Sequence, residues 1–333
     1  LESNYRTYAD AGDNTSVAYT HSSARWTEDT RVGFNLIDMY RLDKLMADPK
    51  FGNVAFGWSS SGSKLEWDAG SYTTVQEAVS YSRGKQTFQF GGIVERAIAY
   101  QIQYAPTAIN YSNLTQFLAN TPNTVQIQMI GDPTKRTLPD GSPAFKNTRD
   151  QFGAYIQDDV KITKSLTLNL GVRYDTTTVI KEVNGKIANL RSLTDPAVTL
   201  GDPYYNNPTF KNFAPRIGFA WDPFKDGKTA IRGGVGMFDI VPLPYLLVNH
   251  IQRTTPFYKE GTAFSPPSSS FPSQAFNLLS VGTLQATRID PNPPRSYKMQ
   301  WNLNVQRQLT RTIALTAGYV GSVGVKLAAM TYD

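Results

Sequence analysis

Cysteine is missing from all 333 residues of the chain. Its absence rules out disulfides, thiolate metal sites and cysteine nucleophiles, and it suits a polypeptide that crosses an oxidising space before folding. Histidine is nearly as scarce. His21 and His250 are the two in the chain; they show no metal-ligand spacing, so neither a metal nor a cofactor is expected. No apolar stretch approaches the roughly 18 residues of a membrane-crossing helix. The most apolar segment, IVPLPYLLV from Ile240, is short and carries two prolines. The opening LESNYRTYADAGDN has neither a basic start nor an apolar run, and no secretory leader is read in it. Clusters of one charge are absent as well. The 33 basic and 27 acidic residues, net +6, are scattered without a Lys/Arg-rich run, which argues against a nucleic-acid partner.

Catalytic spacings are also lacking. GGVGMF from Gly233 departs from GxGxxG, and its glycines read as relief of crowding in a curved strand. GSVG around Ser322 departs from GxSxG. Asp158 and Asp159 are neighbours in IQDDV, and neighbours in a strand face opposite ways. No enzyme is expected.

What the chain does have is aromatics and turn formers: 18 Tyr, 17 Phe, 5 Trp, 25 Gly and 20 Pro. Mean hydropathy is −0.35, a value that fits a soluble protein and equally a membrane barrel, where only half of each strand is apolar. In SLTLNLGVRYD, from Ser165, Leu166, Leu168, Leu170, Val172 and Tyr174 alternate with Thr167, Asn169, Gly171, Arg173 and Asp175. That period of two is a strand signal, and it leaves open whether the leucine row faces a protein core or lipid.

Five such pairs recur. NTSVAYTHSSARW and TRVGFNLID flank a turn expected at Thr27-Glu28-Asp29. TTVQEAVSYS and QTFQFGGIVER flank Arg83-Gly84-Lys85, and DQFGAYIQDDVKI reaches the opening strand through Thr163-Lys164. APRIGFAWDPF and TAIRGGVGMF flank Lys225-Asp226-Gly227-Lys228. YKMQWNLNVQRQL and TIALTAGYVGSVG meet near Thr310-Arg311. Between pairs run long connections over residues 98–149, 176–210 and 240–295; the first holds a short helix at NLTQFLAN and a strand at TVQIQMI. Long loops of this kind count against a compact soluble domain. Short turns alternating with long loops match an outer-membrane barrel, so the leucine row is expected to face lipid.

DQFGAYIQDDVKITKSLTLNLGVRYD resembles a barrel hairpin of TonB-dependent outer-membrane transporters. NFAPRIGFAWDPFKDGKTAIRGGVGMF and PRSYKMQWNLNVQRQLTRTIALTAGYVGSVGVKL resemble their Oar-like subgroup, whose members carry a carboxypeptidase-regulatory-like domain, and SRGKQTFQFGG and NLTQFLAN do so more loosely. The resemblance implies an all-β fold, an antiparallel transmembrane β-barrel of 22 strands in the outer membrane of a Gram-negative bacterium. It implies a plug, and uptake of a ligand into the periplasm when the TonB complex pulls on that plug with proton-motive-force energy. About ten strands are visible, without plug, TonB box or regulatory-like domain, and the chain ends MTYD without a terminal aromatic strand. Residues 1–333 are therefore expected to be part of one barrel domain, its middle section. A passive outer-membrane porin and a structural or surface-attached β protein are the alternatives.

The candidate site residues are charges on polar strand faces: Arg173 and Asp175 in one strand, Arg216 and Arg232 in the fourth pair. They either solvate the lumen and pair across strands, or meet a plug or an anionic ligand. In the loops, Tyr204 and Tyr205 (YYNNPTF) and Phe257 and Tyr258 (TTPFYKE) are candidates for an aromatic ligand surface, with loop packing as the other reading. The expected partners are outer-membrane lipid, the plug and TonB complex, and a transported ligand of unknown identity.

Overall fold

A computed structural model describes residues 6–43, 53–56, 65–104, 108–129, 137, 141–201, 203–206, 210–241, 254–257, 259–267 and 286–329. The elements in chain order are β1 (Arg6–Ser22), β2 (Trp26–Asp43), β3 (Asn53–Phe56), β4 (Leu65–Arg83), β5 (Gln86–Tyr104), β6 (Ala108–Tyr111), α1 (Leu114–Leu118), β7 (Thr124–Met129), β8 (Phe145–Thr163) and β9 (Leu166–Thr177). There follow β10 (Lys181–Glu182), β11 (Ala188–Asn189), β12 (Thr199–Leu200), β13 (Phe213–Trp221), β14 (Thr229–Asp239), β15 (Lys259–Phe264), β16 (Tyr297–Gln308) and β17 (Ala314–Val325).

The long strands form one antiparallel meander, β1-β2-β4-β5-β8-β9-β13-β14-β16-β17, with β10 added to β8. Its ends do not meet: among the described residues β1 pairs only with β2, and β17 only with β16. Four of the five tight turns fall where the sequence places them. At the fourth, Asp222 accepts from the backbone N–H of Lys225 and of Gly227, whose φ is +68°, so one side chain closes the DPFKDGK turn. The first turn differs. Thr27-Glu28-Asp29 lies inside β2, and the chain reverses at residues 23–25, closed by Ser23 N–H donating to the Trp26 carbonyl. No glycine marks this turn. What fixes it is Trp26, which pairs with Tyr81 of β4 and stacks on it at 4.3 Å.

Register settles which solvent each face meets. Val17, Val32, Val75, Val94 and Phe152 form one row across five strands, and each is 42–68% exposed. Leu170, Ile217 and Val235 continue such rows on β9, β13 and β14, equally bare. A soluble monomer does not leave an apolar face of that extent in water; a barrel wall presents it to lipid. The opposite face carries Gln89, Gln157, Gly171, Arg216, Gly236 and Gln300 in one row. The wall is a single layer, apolar outside and polar inside.

Trp26, Tyr81 and Phe88 lie in one row at the turn end of the apolar face, while Tyr174 packs on Phe213 at 5.1 Å near its other end. Aromatic girdles sit this way at the two interfaces. β4, β5 and β8 have 19 residues each, about 60 Å along the strand against the 9–11 residues a tilted crossing needs. They project past the band at the loop end, where Arg96 and Asp150 form a 3.7 Å ion pair on the outward face.

The long connections are not structureless. β15-β7-β6-β3 form a sheet drawn from three connections, and β11 pairs with β12 in a fourth. α1 and β7 fall on NLTQFLAN and TVQIQM as the sequence suggests. The described apolar core lies in this layer, where Ile180, Ile187, Tyr204 and Tyr205 pack with Val179 and Ile289.

Candidate functional site: the lumen-facing wall

The polar face gathers three of the four candidate charges into neighbouring rows. Arg173 and Asp175 sit two residues apart on β9, so both point inward, and the carboxylate accepts a two-pronged bond, Nε–H at 2.6 Å and Nη2–H at 2.8 Å. Gly153 lies under this pair, since a Cβ there would stand 2.6 Å from Asp175 Oδ1 and 2.8 Å from Arg173 Nη2. Arg216 occupies the next row toward the turns, aligned with Gly171 and Gly236. Its guanidinium lies 4.4 Å from the Phe238 ring centroid, its Nε is buried without a described partner, and no ion pair to a described carboxylate forms, the nearby Asp175 being held by Arg173. Arg232 is two rows nearer the turns, exposed, with Nη1 donating to Gln306 Oε1 at 3.2 Å.

The sequence did not single out the amides around Arg216. Gln157 and Asn169 donate to Asp159 at 2.9 and 2.7 Å, and Gln89 reaches the same carboxylate at 3.5 Å. Asp158 is on the other face, where Gln86 donates to it, as strand alternation requires. Gln300 and Asn302 face Gln157 and Asn169 from β16, across a floor of glycines. Their signal in the sequence was alternation alone, shared by every polar position of the wall.

At the loop end the lumen face is covered. Phe145, Asn147 and Arg149 follow one another on the inward side of β8 and are all but fully buried. Phe257 meets Phe145 edge-on at 6.2 Å. Tyr204 and Tyr205 sit in the loop core, 0% and 6% exposed, so both rings pack the layer and neither is displayed to an arriving ligand. Burial raises the phenol pKa of each, and the Tyr204 hydroxyl has no described hydrogen-bond partner. Tyr258 and His250 lie outside the described residues. The layer is pinned by polar groups, of which Glu182 and Asn189 are fully buried. Glu182 accepts from the backbone N–H of Lys146, Asn184 and Lys186. Asn189 bridges the Tyr204 carbonyl and Ile289, and Arg295 forks onto Asp239 at 2.6 and 2.9 Å.

A wall with one lipid face, one amide- and arginine-lined face and folded loops at one end coincides with what the sequence matches. Residues 9–332 match the Outer membrane beta barrel domain family. The chain belongs to that family. It is an outer-membrane protein built on an antiparallel β-barrel sheet that is open here. Among solved structures it is similar to the outer membrane transporter YddB from Escherichia coli, with TM-score 0.56 and 13% identity over 95% of this chain and 34% of that one. It is also similar to the copper transporter OprC, with TM-score 0.51 and 12% identity over 95% of this chain and 39% of that one. At such identities the likeness is one of fold, and the family member described here spans well under half of either relative. No curated protein matches the sequence.

Proposed function

We propose that the ten long strands are one arc of a larger closed barrel, the middle section of an Oar-like TonB-dependent transporter that takes a ligand from outside into the periplasm. The observation that carries the reading is the two-faced wall with both outer strands unpaired. Unpaired N–H and C=O groups cannot face hydrocarbon, so β1 and β17 need neighbours, and a 22-stranded barrel supplies them. Domains ahead of the arc would hold the plug and the TonB box, and the plug would lie against the polar face. The loop layer would then be extracellular and the five tight turns periplasmic.

The test is made on the native protein in its outer membrane. The intact polypeptide, sized by mass spectrometry, should exceed 333 residues and cross-link to TonB through a segment ahead of the arc. Protease added to whole cells should cut within residues 176–210 or 240–295 and spare Lys225 to Lys228. An intact native chain no longer than 333 residues, or cutting at the tight turns alone, would overturn the reading.

A further inference from the structure

The inward face is not uniformly studded. Around Arg216 it drops into a trough of about 280 Å³. Its floor is Gly171 on β9, Gly218 on β13 and Gly234 and Gly236 on β14, none of them in the left-handed region that would explain a glycine by its backbone. Missing side chains on three adjacent strands are therefore a matter of shape. The banks are amides, Gln157 and Asn169 on β8 and β9, Gln300 and Asn302 on β16. From β8 to β16 is four strand spacings, about 19 Å. Asn169 and Gln157 commit their N–H groups to Asp159, which leaves their carbonyl oxygens as acceptors, and Asn169 Oδ1 lies over the Gly218 floor. On the far bank Asn302 Nδ2 is turned toward Gly234. Arg216 supplies a cation over the Phe238 ring, without an ion pair to a described carboxylate.

We propose that this trough binds a small ligand bearing a carboxylate beside a hydrogen-bond donor: the carboxylate on Arg216, the donor on the Asn169–Gln157 bank. The assignment rests on the barrel reading above, and requires that this face be wet and that the plug proposed there leave the trough open. A guanidinium offers a carboxylate paired N–H bonds, roughly twice as strong as neutral ones. Arg173 is already matched to Asp175 and Arg232 is bonded to Gln306, whereas Arg216 lines the trough itself without an ion pair to a described carboxylate; Lys298, opposite Phe238 in the next row on this face, is a second inward cation. The Phe238 ring lies over Gly236, while at Gly218 and Gly234 the side chains that come near are Asn169, from 3.5 Å, and Asn302, at 4.0 Å, so a ligand approaching the sheet there meets the amide banks.

The experiment uses protein extracted from outer membranes in detergent and two matched probe pairs: acetyl-Gly-Asp-amide against acetyl-Gly-Asn-amide, and glucuronate against glucose. Titration calorimetry should show the acid of at least one pair binding about tenfold or more tighter than its neutral partner; the pair that responds tells peptide from sugar. Arg216→Gln should abolish the preference. So should Gly218→Thr, which fills the floor while its Cβ meets only the Gly233 carbonyl at 3.4 Å and Asn169 beyond it. Arg232→Gln should leave the preference intact. Equal binding of acid and neutral probes, or a preference that survives Arg216→Gln, overturns the proposal. A spin label at Asn169, relaxed by a water-soluble but not a lipid-soluble reagent, shows the face to be wet. If the lipid-soluble reagent wins, the barrel reading itself has failed.

Discussion

At the scale of single residues, Leu168 and Asn169 carry the sharpest contrast. Leu168 pairs with Phe219 and Val160 on the apolar face, Asn169 with Gly218 and Asp159 on the polar one. An arginine at Leu168 enters hydrocarbon and should cost roughly 2–4 kcal/mol, whereas Asn169→Arg meets water and should change folding little. Denaturant titration in lipid vesicles measures both, and equal costs would mean that the two faces are not lipid and water. Glu77 is a second residue with a prediction of its own. It sits between Val75 and Val79 on the apolar face, accepts from the Thr30 hydroxyl, and leaves Oε1 buried without a described partner. Glu77→Leu should stabilise the wall by on the order of 1–3 kcal/mol, since it removes a carboxylate from the lipid side. A lowered denaturation midpoint would instead show the carboxylate to be engaged. Both faces could be read in LTLNLGVRYD and TTVQEAVSYS because alternation is local. The Thr30 contact could not, since the partner lies on another strand and nothing in either segment encodes the pairing.

Among the elements, hairpins were legible and the layer over them was not. Gly84, Asp222 and Gly227 mark their turns by chemistry, whereas the HSSARW turn has no such residue, and an acidic turn four residues later looked as good. The sheet of β15, β7, β6 and β3 escapes reading because its strands come from three different connections and pair only in the fold. Tyr204 and Tyr205 show the same limit: exposed-looking aromatics in a polar loop prove to be its core. Their burial gives a pH test. The folded phenols titrate above the ordinary value of 10.0. The layer's stability is thus fully present below about pH 10 and falls as pH rises further, because the unfolded loop loses those protons first. Protease sensitivity of residues 178–206 should therefore climb above that pH, and Tyr204→Phe with Tyr205→Phe should flatten the climb. An unchanged profile in the double variant would mean that other groups open the layer. Glu182→Ala should loosen the same segment at neutral pH, by about 1–3 kcal/mol, because it strands buried backbone donors; limited proteolysis measures it, and an unaltered cleavage rate would place the layer's anchor elsewhere.

For the whole molecule, the governing fact is that the meander has two ends. β1 has 17 residues and β17 has 12, and half of the backbone groups on each point away from any described neighbour. In water such an edge is a template for pairing with another chain. In a bilayer it is worse, since each unsatisfied group costs several kcal/mol. Residues 1–333 made alone and refolded into detergent should therefore form polydisperse oligomers or aggregates. On the proposed reading of a longer native polypeptide, the same strands made within it should give a heat-modifiable monomer. Charge substitutions along the edge, such as Leu315→Lys and Val323→Lys, should reduce the aggregation of the isolated arc without making it insert, because they block pairing but leave the backbone unsatisfied. Size-exclusion chromatography with light scattering separates the outcomes. A monodisperse, water-soluble monomer of residues 1–333 would mean that the exposed valine and leucine rows are covered by protein. An equally monodisperse monomer that forms only in lipid would mean that β1 and β17 close on each other, making a ten-stranded barrel too narrow for a plug.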